Sequence, residues 1–315
     1  MDTRLELFQR VRSYSSACAF VAILISLAAQ RFSSSDDLSW QIGIAGFALA
    51  IGIPHGALDH LVSMPRGNPK KMAIFVVVYV AIALLAVVAL LQWNVIGFQI
   101  VVLMSLVHFG IGDSAFLKEL DRLAGTKVKA FPTIFVCLAF GSLPVVVPLI
   151  NSKSTSALAS VNENLVDWHQ GYQTQLAVIL FILFVIAAIA LLVTKRSRDF
   201  VDLLLLAALA ILTPPLIAFA VYFGCWHAMR HTARLTLVLP GAIANYERQD
   251  AKKAFLSAVI PGLPALVGSF AIAGILWWQR GIDQSFFWFA LVIVWALTVP
   301  HMMVTAKLDR KALAN

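Results

Sequence analysis

The stretch Ser39–Val62, SWQIGIAGFALAIGIPHGALDHLV, holds no lysine or arginine and is long enough, as a helix, to cross a lipid bilayer. Its second half nevertheless carries Pro54, His55, Asp59 and His60. Ionisable groups in a segment that spans hydrocarbon are costly and mark function by default. The stretch therefore reads as a transmembrane helix that contributes to a site.

The rest of the chain agrees with this reading. Of its 315 residues, 60% are hydrophobic and only 13% charged, with a mean hydropathy of +0.86. A soluble domain carries about 25% charged residues, too many for this composition to match. Apolar runs of membrane-crossing length recur at roughly 14–30, 39–62, 71–92, 95–117, 130–150, 172–194, 199–213, 214–235, 254–278 and 285–306. The pattern predicts an all-α, polytopic membrane helical bundle of about ten transmembrane helices, one integral-membrane domain over 1–315. The seventh run is short and meets Thr213-Pro214-Pro215, so nine spans result if it joins the eighth as one kinked helix.

Charge sets an orientation. With the N-terminus in the cytoplasm, all 24 lysines and arginines except Arg31, Lys153 and Arg280 fall in cytoplasmic segments. That is the positive-inside pattern, and it puts both termini in the cytoplasm. The net charge of +8 then reflects topology and anionic lipid, with no nucleic acid as partner. Residues 1–30 read as an uncleaved first helix, because many spans follow. Cys18, Cys137 and Cys225 lie in separate apolar runs and suggest neither a disulfide framework nor a zinc knot.

Six of the seven histidines fall in predicted helices: His55 and His60, His108, His227 and His231, and His301. Their four helices all run from outside to inside. In each, a histidine lies roughly seven to nine residues before the inner end, about 10–14 Å from the boundary. A lone buried histidine is usually a hydrogen-bonded packing residue, but six at matched depth point to a metal site. Imidazole donors suit iron, zinc, copper or nickel. His227 and His231 are i, i+4 and share a helix face. His55 and His60, five apart, point about 140° apart on a regular helix, so one of the two is expected to ligate. Asp59 and Asp113 are candidate acceptors for the second N–H of a ligating histidine. Phe109, Tyr222, Phe223 and Trp226, beside the histidines, are candidates to line a pocket for a flat apolar substrate. A proton-coupled transporter using Asp59, His60, Asp113 and His301 as a relay is the non-enzymatic alternative.

GIPHGALDH (52–60), HFGIGD (108–113), WHAMRH (226–231) and PHMMV (300–304) together resemble the signature of the Brp/Blh family of membrane β-carotene 15,15′-dioxygenases. The motifs occur in the family's order and cover almost the whole chain. The resemblance implies a multi-pass enzyme of the cell inner (plasma) membrane, embedded in the lipid bilayer. It implies an Fe(2+) cofactor and O2 as co-substrate, and cleavage of β-carotene at its central double bond into two all-trans-retinal. Carried over by motif, the iron ligands are His55, His108, His227 and His231. His60 and His301 then stand outside the ligand set, with His301 open as a replacement for one of the four. The resemblance also implies delivery of retinal to a partner such as a microbial-type rhodopsin. A related oxygenase acting on another isoprenoid or lipid would share the same motifs.

Overall fold

The computed structural model describes residues 2–32, 38–63, 68–125, 132–280 and 284–314. Among them every regular element is helical. In chain order the α-helices are α1 (Thr3–Ala29), α2 (Leu38–Gly56), α3 (Asp59–Ser63), α4 (Pro69–Gln92) and α5 (Asn94–Leu123). Next come α6 (Thr133–Ile150), α7 (Ser154–Val161), α8 (Gln173–Val193), α9 (Ser197–Leu212) and α10 (Pro215–Val221). A π-helical segment, Tyr222–Ala228, leads into α11 (Met229–Leu235). The last four are α12 (Pro240–Glu247), α13 (Ala251–Val259), α14 (Leu263–Arg280) and α15 (Gln284–Ala314).

Eight helices among the described residues are long and apolar enough to cross a membrane. This is a multi-pass membrane protein. The seventh and eighth expected runs are present as helices but do not meet that measure singly. α9 has only 16 residues, and the run from Pro215 changes to π geometry at Tyr222. The chain breaks between them because Thr213 is extended ahead of Pro214, as a residue before proline prefers.

The outward faces of the helices show why lipid is the solvent. α4 and α8 present Ile74, Val77, Leu84, Leu85, Phe181 and Val193 at the surface, each more than half exposed. In water such a belt would drive aggregation, whereas hydrocarbon accepts it. Inside, α5 packs on α6, α15 on α4 and α5, and α2 on the π segment. Glycine permits the closest of these approaches. A Cβ on Gly224 would collide with the Ala48 carbonyl, and one on Gly110 with the Cys137 carbonyl. Small residues at such crossings let helix backbones touch, which is how helices gain packing energy in membranes.

Among the described residues, four arginines differ from the other arginines and the lysines in being buried. Arg12, Arg196, Arg230 and Arg234, expected in cytoplasmic segments, are buried in the bundle. Arg12 bonds Asp199 at 2.6 Å and Asp202 at 3.0 Å. Arg230 reaches Asp202 at 3.1 Å. Arg196 joins Asp199 and Asp121 at 2.5 and 2.7 Å, and Arg234 joins Glu119 and Asp309 at 2.8 and 2.6 Å. The carboxylates explain the difference: a guanidinium enters a low-dielectric interior when its donors meet anions there.

Candidate functional site

Five histidines meet in the middle of this bundle. α2 supplies His55, α5 supplies His108, the π segment supplies His227, α11 supplies His231 and α15 supplies His301. All five side chains are buried. Ring centroids lie 4.9 Å apart for His108 and His227, 5.1 Å for His55 and His301, and 5.3 Å for His108 and His301. His55 and His231 are at 5.4 Å, and His227 and His231 stack at 5.9 Å. The i, i+4 pair therefore shares a face, as its spacing predicted.

The orientation of the rings carries chemical information. Nδ1–H of His55 donates to the Gly52 carbonyl. His301 donates from Nδ1 to both oxygens of Asp59, at 2.9 and 3.0 Å. His108 Nδ1 lies 3.3 Å from the Thr305 hydroxyl, which also lies 3.1 Å from the His301 carbonyl. A carbonyl or carboxylate can only accept, so in His55 and His301 Nδ1 holds the hydrogen and Nε2 presents a bare lone pair. Nε2 of all five rings is buried without a partner. Each unsatisfied polar atom in a dry interior costs about 1–3 kcal/mol.

Among the described residues, no three His, Cys, Asp or Glu side chains stand in an arrangement that would hold a metal ion. The rings gather edge to face around one space without closing into a chelate. The donor set itself does fit a first-row transition metal: five buried imidazoles with unpartnered Nε2 atoms, two of them (His55 and His301) with Nδ1 anchored on fixed acceptors. Among the described residues, five of six buried carboxylates (Asp113, Glu119, Asp199, Asp202 and Asp309) lie against an arginine, and Asp59 does not. The partners of Asp59 are His301 and the Tyr79 hydroxyl, which donates at 3.1 Å.

His60 has a different place. α2 ends at Gly56 and α3 begins at Asp59, so no regular helix runs from His55 to His60. The break lets Asp59 return to His301, while His60 is half-buried and donates to the Ala57 carbonyl at 3.0 Å.

Asp113 accepts from the Tyr222 hydroxyl at 2.9 Å and Trp226 Nε1 at 3.1 Å, with Arg230 at 3.6 Å. Five residues beyond His108 it points about 140° away around α5. The polar atoms of Tyr222 and Trp226 thus go to Asp113, and the Trp226 ring stacks on Arg230 at 3.7 Å. Phe109 and Phe223 line a pocket. Tyr79, Thr305 and the arginine network escaped the sequence reading. A lone tyrosine hydroxyl in the most apolar stretch of α4 was the available signal for the first.

The pocket is an apolar cavity of about 390 Å³ with His55, His60, His108 and His301 on its wall beside Phe75, Val80 and Leu297. The hydroxyls of Tyr79 and Thr298, also on the wall, are engaged by Asp59 and by the Val294 carbonyl at 2.7 Å. Ser269 also lines it, so an occupant would meet mainly apolar contact together with the histidines and a serine.

Comparison with known proteins gives the same direction. Residues 47–309 match the family described as Beta-carotene 15,15′-dioxygenase. The chain is 26% identical over 289 residues to the probable beta-carotene 15,15′-dioxygenase Blh of Halobacterium salinarum, covering 84% of this chain and 82% of that protein. It is 29% identical over 272 residues to the beta-carotene 15,15′-dioxygenase of uncultured marine bacterium 66A03, covering 81% and 88%. No solved structure matches.

Proposed function

Because the chain belongs to the β-carotene 15,15′-dioxygenase family, we propose that it splits β-carotene at the central double bond into two all-trans-retinal. Dioxygen is the oxidant, and the net reaction balances, since each carbon of the broken double bond ends as an aldehyde carbon. The observation that carries this reading is a cluster of five histidines whose buried Nε2 atoms have no partner, three of them (His55, His108 and His301) on the wall of a largely apolar cavity.

In this reading His55, His108, His227 and His231 hold Fe(2+), with His301 beside them. The iron, when bound, supplies the redox centre through which dioxygen reacts with a closed-shell polyene. The chain's own residues do the rest. Gly52 and Asp59 fix the tautomers of His55 and His301, and the Thr305 hydroxyl holds the His108 ring in place. Phe75, Phe109, Phe223 and Leu297 give a hydrocarbon contact surface and exclude water. A substrate without polar groups is selected by shape, and shape discriminates modestly per methylene, so close relatives of β-carotene are also cut. Substrate enters from lipid in the cell inner membrane, both termini facing the cytoplasm. Retinal leaves for an acceptor such as a microbial-type rhodopsin.

The transporter reading needs Asp59, His60, Asp113 and His301 in one chain of hydrogen bonds. Among the described residues Asp59 and His301 are joined, while Asp113 and His60 bond elsewhere.

The deciding experiment is anaerobic incubation of purified, Fe(II)-loaded protein with β-carotene, then admission of oxygen and chromatography. Retinal as the cleavage product, formed only after oxygen, is the expected outcome. Intact β-carotene with iron bound would move the assignment to another lipid substrate. Intact β-carotene with no iron retained would end the oxygenase reading.

A further inference from the structure

The histidine-lined cavity has a neighbour. A second apolar cavity, about 160 Å³, is lined by α5, α10, α15 and α7. Three of its walls continue directly into the first cavity. On α5, Ser105 lines the second and His108 the first; on the chain from α10 into the π segment, Phe219 and then Phe223; on α15, Trp295 and then Thr298. Each step is three or four residues, about 4.5–6 Å along a helix. The two spaces are therefore stacked along the same helices, one turn apart.

What separates them is a set of aromatic rings. Phe219 stacks on Phe223 with centroids 6.2 Å apart and planes 14° apart. Phe109 lies 6.4 Å from Phe219 and 6.3 Å from Phe223. Phenylalanine rings turn about two side-chain torsions, so this partition is made of movable groups rather than backbone. From His108 to Phe98, at the far end of the second cavity's α5 wall, is ten residues, or about 15 Å.

Central cleavage of a long symmetric rod makes a demand that end cleavage does not. Room is needed on both sides of the reacting atoms. A site whose only space ended at the histidines would cut near one end of the polyene. We propose that the second cavity is a subsite for one ring-bearing half of the isoprenoid substrate. The polyene threads between Phe109, Phe219 and Phe223, and the other half occupies the larger cavity. This rests on the carotenoid reading above and adds the element that sets where the chain is cut.

α7 offers a way to fill the subsite without entering the bundle. Ala157 and Val161 lie on its half-buried face and line the second cavity. Ala157→Phe and Val161→Phe place a ring where the substrate's ring belongs. The assay is kcat/KM on β-carotene and on an apocarotenal that keeps one ring and is shortened at the other end, with all products chromatographed. For each variant the expected loss on β-carotene is tenfold or more, with less than a threefold change on the shortened substrate. Residual β-carotene turnover shifts toward off-centre products. Unchanged turnover of β-carotene, or equal losses on both substrates, would overturn the subsite.

A second readout needs no turnover: β-carotene retained by the purified protein under argon, as polyene absorbance per protein. Both variants should retain it at least tenfold less tightly than the wild type. If the wild type retains β-carotene but never cleaves it, the oxygenase reading fails and this measurement still judges the subsite. Equal retention by wild type and both variants refutes it.

Discussion

Replacing Asp59 with asparagine tests whether His301 acts together with the other four histidines. Asp59 accepts Nδ1–H of His301 at 2.9 Å and the Tyr79 hydroxyl at 3.1 Å, in a buried setting. Asparagine keeps the shape, loses the charge and turns one acceptor into a donor. Its amide oxygen can still accept from His301 while its NH2 faces the Tyr79 hydroxyl, so what the change removes is the charge. A hydrogen bond to a charged group contributes about 1.5–3 kcal/mol. Loss of the outer partner of a metal-ligating histidine lowers metal affinity about 10–100-fold, which is about 1.4–2.8 kcal/mol. The two figures agree, so the whole effect should appear in the metal equilibrium. The assay is anaerobic Fe(II) titration against a competing chelator. Asp59→Asn should weaken binding about 10–100-fold and His301→Ala at least as much. Thr298→Val, on the same cavity wall with its hydroxyl on a backbone carbonyl, is the control and should leave affinity unchanged. Wild-type affinity in both Asp59→Asn and His301→Ala would show that His301 is only a packing neighbour.

Three further outcomes follow from the geometry. His60→Ala should retain bound iron, because its ring bonds only a local carbonyl, whereas His55→Ala and His108→Ala should lose it; equal loss in all three, read by metal analysis, would return His60 to the ligand set. Arg234→Met leaves Glu119 and Asp309 buried without their cation, which should cost about 3–5 kcal/mol of stability and lower the unfolding temperature in detergent. An unchanged unfolding temperature would mean that the two carboxylates take up protons freely. Gly224→Ala forces a methyl against the Ala48 carbonyl and should destabilise by about 1–3 kcal/mol, while Gly43→Ala, with open space around it, should not; the same thermal assay reads both.

The membrane bundle was legible because lipid imposes a coarse rule, long apolar runs, that survives without any knowledge of packing. The histidine depth was legible because helical rise converts residue count into distance. His301 was harder. Its membership depends on how α15 rotates against α2 and α5, and no local spacing encodes that. The partners of Asp113 were hidden for the same reason: the helical phase of α5 turns it toward Tyr222 and Trp226, more than 100 residues away in sequence. The buried arginines show a further limit. Arg230 and Arg234 satisfy a charge-count rule for topology, yet their partners come from α5, α9 and α15, far away in sequence.

The charge pattern around the site bears on what fills it. An anion buried without an arginine must be held by hydrogen bonds, by a proton or by another cation. Five of the buried carboxylates take the arginine solution, which locks α1, α5, α9, α11 and α15 together. Among the described residues Asp59 meets no arginine and faces His301 instead. Five neutral imidazoles bring no negative charge of their own, so a divalent ion among them would keep its full charge and find its nearest counter-charge in Asp59. The same carboxylate would then fix the His301 ring and offset the ion; Asp59→Asn removes the charge, and Tyr79→Phe leaves both roles intact. On the proposed reading Tyr79→Phe therefore weakens iron binding far less than Asp59→Asn. Equal weakening in the two variants would mean that the hydrogen-bond chain, and not the charge, governs the site.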